Sequence, residues 1–305
     1  MENHIIDQIR TTGYPLEIEV SNLMDRDWIV YNNQPYLDED ENKTREIDIF
    51  ARHEFTDAQF LDREKPPFYI GIYAAVECKK SLTHAWVFFT REKLVAINFG
   101  NDQITDFLET RSQGKRRLLD VIDLPVLRHG EIYRVARTYS QVRLQAEQFE
   151  EQRSGKNEIF EASNQLMKYT AYQVKEWRER MVRNLSGRDF VIMYLAIIFD
   201  GKLYEAITER GEIRIVEKSH VLLESARYSK LKTGMSNYVI DVIAKDYFPN
   251  YLGLINKDIR TLEAFLLLER DQLMRKTKAE IKALGHRQTI VSLADQERHR
   301  KGRCS

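Results

Sequence analysis

Apolar runs broken by isolated charges divide the chain into segments of two periodicities. Leu16, Val20, Leu23 and Met24 recur at the spacing of one helix face, and Pro15 suits a first helical turn, so residues 1–26 read as helix. The runs at 28–31, 47–51 and 69–76 are β-branched and aromatic and of strand length. The polar stretch 32–43 predicts an irregular or hairpin connection into the second of them, and 53–67, with Pro66-Pro67, predicts a surface loop. A further short apolar run at 85–89 reads as a strand or the entry to the next element.

The pattern then changes. Residues 92–156 carry an amphipathic segment at 104–122, a break at Pro125 and a basic helical pattern over 133–153. Ser154-Gly155-Lys156-Asn157 reads as a linker into a long helix over about 158–184, whose Phe160, Leu166, Tyr169, Val174, Trp177 and Met181 give a broad buried face. The continuous apolar run 190–199 predicts a fully buried strand, Asp200-Gly201 a hairpin turn, and 202–208 its return strand. Helix is expected from about Tyr238 onward. The organisation expected is therefore an α/β core from 1–91 and 157–210, a largely helical insertion at 92–156, and a mostly helical extension at 211–305 that ends in a basic tail.

Two charges stand out against this pattern. Asp48 interrupts Ile47-Asp48-Ile49-Phe50-Ala51, and Glu77-Cys78-Lys79 closes the apolar run 69–76. Burying carboxylates and an ammonium on hydrophobic strands is unfavourable unless they pair or hold a metal. Alternation places Glu77 and Lys79 on one sheet face and Cys78 on the other. Glu41-Asn42-Lys43 and Glu280-Ile281-Lys282 share the Glu-x-Lys spacing but not the strand context. The plain alternative is an ion pair that only neutralises Glu77 or Asp48.

The order of these elements resembles the PD-(D/E)xK nuclease superfamily, whose pattern is a helix with a glutamate, a hairpin whose second strand begins with Asp, and a strand ending in Glu-x-Lys. The matching residues are Glu17 or Glu19 in Tyr14-Pro15-Leu16-Glu17-Ile18-Glu19-Val20, Asp48, and Glu77 with Lys79. Gln165-Leu166-Met167-Lys168-Tyr169 is similar to the Gln-hydrophobic-x-x-Tyr motif of the RecB-type branch. About eighty residues separate it from Lys79, more than a compact family core uses, so the resemblance covers 12–90 and, more loosely, 158–205.

The resemblance implies a restriction-endonuclease-like mixed central sheet flanked by helices, and a metal-dependent deoxyribonuclease. Asp48, Glu77 and the backbone carbonyl of Cys78 would hold Mg²⁺ or Mn²⁺, hard cations that suit oxygen ligands. Lys79 would stabilise charge at the scissile phosphate or orient the attacking water. Glu17, or Glu19 if the helix phase differs, would reach the metal through water. Gln165 and Tyr169 would contact the nucleic-acid backbone or buttress Lys79, and Lys80 would touch nucleic-acid phosphate, the bland alternative being a surface Gln and a core Tyr. The same fold without cleavage would be a nucleic-acid-binding or assembly module, the partner of a motor or a defence effector.

Composition constrains this picture. Formal net charge is zero in 305 residues, which argues against coating nucleic acid by bulk electrostatics. Local basic clusters remain at Lys79-Lys80, at Lys115-Arg116-Arg117, and over 270–303, where ten Lys or Arg face four Asp or Glu and so leave a cationic tail. Such runs are ordinarily solvated helix faces. Two cysteines, Cys78 and Cys304, make no scaffold or zinc site, and no apolar stretch is long enough to span a bilayer. Cytoplasm is the expected compartment. There is no Walker-type loop, His-Glu-x-x-His or Gly-x-Ser-x-Gly, so where unwinding or targeting is required a motor or targeting protein would supply it in trans. The sequence does not distinguish DNA from RNA or endonuclease from exonuclease, and a homodimer is reasonable because two cuts in a duplex commonly need two sites.

Overall fold

A computed structural model describes residues 12–55, 68–91, 95–96, 104–106, 132–144, 157–183, 188–209, 211–229 and 234–262, with single positions 6, 9 and 264. Helix α1 (Tyr14–Met24) leads into β1 (Ile29–Asp38), β2 (Lys43–Phe55), β3 (Phe68–Lys80) and β4 (His84–Arg91). Short strands β5 (Val95–Ala96), β6 (Ile104–Asp106) and β7 (Ile132–Tyr133) precede β8 (Val135–Arg143). Helix α2 (Glu158–Arg183) follows, then β9 (Arg188–Asp200), β10 (Leu203–Glu209), β11 (Glu212–Glu217), β12 (His220–Ser229) and β13 (Gly234–Ala244). A 3₁₀ turn (Lys245–Tyr247) opens into helix α3 (248–262).

Among the described residues the result is an α/β fold on a mixed sheet of eleven strands, ordered β1-β2-β3-β9-β13-β12-β8-β4-β10-β11 with β6 beside β9, while β5 and β7 pair separately. β1, β2 and β3 are antiparallel neighbours, whereas β9 runs parallel to both β3 and β13. Helices cover both faces of this half. On one face Leu16, Val20 and Met24 of α1 pack with Tyr251, Ile255 and Ile259 of α3 over Ile49, Val76, Cys78 and Ile198. Complete burial of each such aliphatic side chain contributes about 1.5–3 kcal/mol. On the other face Ile159, Leu166 and Tyr169 of α2 lie over Phe50, Tyr73 and Ile197, and the same cluster takes in Trp86, Phe88, Ala136, Leu203 and Leu223. The sheet thus curls around α2.

Several elements differ from the sequence pattern. The basic run expected to be helical over 133–153 is strand over Val135–Arg143, paired with β4. Its Arg137 and Arg143 are exposed while Ala136 is buried, so charge at a sheet surface imitates a polar helix face. The described residues within 92–156 are mostly strand, the rest of the 104–122 segment and Lys115-Arg116-Arg117 lying outside them. The mostly helical extension expected over 211–305 begins instead with β11, β12 and β13, and Tyr238 is a buried β13 residue. Asp200-Gly201 is not a hairpin turn: β9 pairs with β3 and β13, while β10 pairs with β4 and β11. β3 and β9 leave one half of the sheet side by side and re-enter it elsewhere as β4 and β10, again side by side and parallel. The basic tail 270–303 lies outside the described residues.

Candidate functional site

The site forms where two strands part. The ladder between β2 and β3 last pairs Ile49 with Val76, and the next residues along each strand are Asp48 and Glu77. Opposite Asp48 on β1 stands Asn33, between the pairs Asn32–Ile49 and Gln34–Ile47, at φ 50, a left-handed conformation that Asn tolerates better than most residues. Ile47 belongs to the core beneath α2 and Ile49 to the core beneath α1, so regular alternation slips at Asp48. The slip leaves its carboxylate half-buried, with Oδ2 accepting the backbone N–H of Cys78 at 2.7 Å.

Glu77 is fully buried. Its Oε2 accepts Lys79 Nζ at 2.7 Å, and the same ammonium lies 3.6 Å from Asp48 Oδ2. Its Oε1 is buried and has no hydrogen-bond partner. Burial outweighs the neighbouring ammonium and pushes the Glu77 carboxyl up to about 8, with the Asp48 charge adding to the effect. Lys79 behaves oppositely: burial disfavours its charge, but Glu77 and Asp48 override that and hold it above its ordinary value. The Cys78 side chain is buried in the core beneath α1, and burial pushes its thiol up, as in an inert structural cysteine.

Helix α1 contributes Glu17. Its carboxyl is raised by burial and then by the charge of Asp48, with Lys79 opposing, so it belongs to the same electrostatic group. Glu19, the competing residue, instead binds Lys245 Nζ at 2.7 Å. Lys80 pairs with Asp200 at the end of β9, 3.5 Å away.

Helix α2 reaches the site from the other face. The side-chain amide of Gln165 donates to the main-chain carbonyl of Glu46, two residues before Asp48. Tyr169 is buried, its ring edge-on to Tyr36 and Phe50 and its hydroxyl accepting Gln173 Nε2 at 2.8 Å. The structure therefore brings Glu17, Asp48, Glu77 and Lys79 together, with Gln165 holding the strand of Asp48 and Tyr169 in the core.

Residues that the sequence pattern did not single out complete the support. Lys168, nearly buried, donates to Asp38 at the end of β1 and to Glu41 Oε1 at 2.7 Å, while Arg45 Nε donates to Asp38 Oδ2 at 2.8 Å. Burial opposes ionisation of Asp38, but the hydrogen bonds from Lys168 and Arg45 outweigh it and hold the carboxyl below its ordinary value. Tyr36, buried beside α2, has its hydroxyl raised by burial and then by the charge of Glu77. A lysine flanked by Leu166, Met167 and Tyr169 on a buried helix was the available signal for Lys168.

Among the described residues no three His, Cys, Asp or Glu side chains gather as a metal-binding group. Asp48 and Glu77 are the two strand carboxylates at the site, and Glu77 Oε1 has no hydrogen-bond partner. Among the described residues no helix is long and apolar enough to cross a membrane. No protein-family profile, curated protein or solved structure matches the chain.

Proposed function

We propose that the chain is a metal-dependent nuclease with a restriction-endonuclease-like core, hydrolysing phosphodiester bonds of DNA. One observation carries the reading: a fully buried glutamate, its Oε1 without a partner, sits beside a half-buried aspartate and a lysine where two strands diverge. A buried carboxylate oxygen left unsatisfied is unfavourable, and a hard cation is the ligand that best relieves it. The order of a helix with Glu17, a hairpin with Asp48, a strand ending in Glu77 and Lys79, and a helix with Gln165 and Tyr169 supports the same reading.

Mg²⁺ or Mn²⁺ suits this donor set, with Asp48, Glu77 and the Cys78 carbonyl as its protein ligands. Once bound, such an ion supplies charge neutralisation at phosphate and a more acidic water. The chain's own residues do the rest. Lys79 keeps a positive charge beside the carboxylates, where negative charge on a phosphate would develop. Glu17 adds a carboxyl from the α1 side that can orient water. Gln165 fixes the main chain just before Asp48, and Lys80, paired with Asp200 at the end of β9, stands one residue beyond Lys79.

The test uses purified protein with linear, circular and single-stranded DNA, and with RNA, in Mg²⁺, Mn²⁺ or EDTA. Metal-dependent cleavage abolished in Asp48→Ala and Lys79→Ala is expected. Absence of cleavage on every substrate, or cleavage undiminished in those variants, overturns the reading.

A second reading has an observation of its own. Lys79 donates to Glu77 Oε2 at 2.7 Å and lies 3.6 Å from Asp48 Oδ2, so the cluster carries a cation of its own. A catalytically silent binding or assembly module, partner of a motor or an effector, would need no more than that. Calorimetry separates the two: metal binding lost in Asp48→Ala and Glu77→Ala favours the nuclease, and DNA retention without metal binding favours the module.

A further inference from the structure

The β1–β2 hairpin changes face part-way along. Before Asn33, Val30 packs on the core beneath α1 and Tyr31 on the core beneath α2, so even-numbered residues of β1 turn to the first and odd-numbered ones to the second. Beyond Asn33 the order is reversed, and Tyr36 is buried beneath α2. β2 does the same at the facing rung, with Ile49 and Ala51 beneath α1 but Ile47 beneath α2. Register is unchanged across the reversal, Asn32 pairing with Ile49 and Gln34 with Ile47. Both strands therefore exchange faces together at one rung, whose two members are Asn33 and Asp48.

A strand keeps its alternation only while every residue stays extended. Asn33 does not, since its φ of 50° is left-handed, a region open to Gly and tolerated by Asn but unfavourable to β-branched residues. The other non-glycine residue with positive φ among those described, Asn42, sits in the turn of the hairpin, where such a conformation is ordinary. The reversal is also pinned from α1, where Ser21, one helical turn after Glu17, donates its hydroxyl to Asn32 Oδ1 at 2.5 Å. With regular alternation Asp48 would point as Phe50 does, into the aromatic layer beneath α2. Instead its carboxylate reaches sideways to β3, where Oδ2 accepts the Cys78 N–H at 2.7 Å and lies 3.6 Å from Lys79 Nζ.

We infer that Asn33 is a positioning residue: its left-handed backbone turns the hairpin over and so aims the Asp48 carboxylate along the sheet at Lys79 and Glu77 instead of into the core. The inference deepens the nuclease reading and rests on it only for what the aimed carboxylate does. The aim itself is measurable without metal or DNA.

Amide hydrogen exchange of the full chain in EDTA reports the aim at Cys78, whose N–H Asp48 accepts. Mn²⁺ calorimetry and single-turnover cleavage report its use. Asn33→Gly keeps the left-handed region open and should match wild type in all three. Asn33→Val closes that region, and should speed exchange at Cys78 and weaken Mn²⁺ binding by about tenfold or more, while exchange at Ala74, within the regular β2–β3 ladder, changes far less. Affinity for DNA in EDTA should stay within about twofold of wild type, since the change touches the reacting centre and not uniform binding. Asn33→Ala should fall between the glycine and valine variants, and it carries the comparison if the valine variant does not fold. A glycine variant that loses protection at Cys78, or valine and alanine variants that keep it, overturns the inference. A wild type that binds no Mn²⁺ and cleaves nothing, while exchange at Cys78 still follows the residue at position 33, supports the inference and overturns the nuclease reading alone.

Discussion

Gln165 on α2 donates its side-chain amide to the main-chain carbonyl of Glu46, and so ties the helix to the strand two residues before Asp48. The bond lies where β2 leaves its ladder with β3, at a point where the main chain of Asp48 would otherwise be held from one side only. Gln165→Glu keeps the shape but removes the donor. It is expected to lower stability by about 1 kcal/mol and, on the nuclease reading proposed above, to slow single-turnover cleavage about tenfold by letting Asp48 drift. Affinity for DNA should remain near that of wild type. A loss of affinity with an unchanged cleavage rate, read by fluorescence anisotropy, would instead make Gln165 a nucleic-acid contact.

The end of the β1–β2 hairpin is held to α2 by charge. Lys168 is nearly buried against Asp38, and removing one member of such a pair leaves the other uncompensated. Lys168→Met is expected to destabilise the protein by about 3 kcal/mol in urea denaturation, tempered by the Arg45 bond that remains. The pH dependence follows from the same pair. Asp38 has a folded pKa below its unfolded value, so its contribution is present above about pH 4 and is lost as pH falls through the lowered folded value. In Lys168→Met the folded value moves back toward the unfolded one, so this part of the acid-induced loss should shrink. Acid unfolding profiles that superimpose would contradict it.

What the sequence revealed and what it concealed have physical causes. Asp48, Glu77 and Lys79 were legible because a charge inside a β-branched run is conspicuous whatever the tertiary fold. Glu17 and Glu19 were not separable, since a weakly patterned helix leaves its phase open; the Lys245 partner of Glu19, far along the chain in the 3₁₀ turn after β13, divides them. The strand at 135–143 was misread because Arg137 and Arg143 face solvent and only Ala136 is buried, so its periodicity is weak. Lys168 was passed over because a lone lysine in a helix is normally a surface residue, and its acidic partners lie in a distant hairpin. Asp200-Gly201 carried a true glycine signal with the wrong local meaning.

That glycine is needed for a close approach. A Cβ at Gly201 would lie 2.5 Å from the Phe199 ring and 2.7 Å from the main-chain oxygen of Ser81. The ring is stacked on Trp86 at 3.9 Å and fully buried, so it has little room to yield. Nearby, Ser81 N–H donates to the Asp200 carbonyl at 3.1 Å, and Trp86 N–H to the Lys202 carbonyl at 2.9 Å. Gly201→Ala should destabilise the protein by about 1–3 kcal/mol through overpacking. Pairing it with Phe199→Leu, which opens the space, should recover part of that loss beyond simple additivity. Additive effects in a denaturation double-mutant cycle would show that the clash is relieved elsewhere.

Glu77 gives the sharpest test of the site. Its folded pKa of about 8 lies above the ordinary glutamate value, because the carboxyl is buried and Asp48 adds negative charge. Between these two values the folded chain keeps a proton that the unfolded chain has released. Stability of the metal-free protein should therefore be greatest near the lower end of this window and fall as pH rises through it, by up to about 1.4 kcal/mol per pH unit. Glu77→Gln is neutral at every pH and should flatten the profile across the same window. Mn²⁺ should act in the opposite direction, since a cation competes with the proton for the ionised carboxylate and binds more tightly as pH rises. Thermal melts of wild type and Glu77→Gln, in EDTA and in Mn²⁺ across this range, decide the point: parallel profiles in EDTA mean that Glu77 is already ionised through its bond to Lys79, and Mn²⁺ without effect on either protein removes the carboxylates from any role in binding metal.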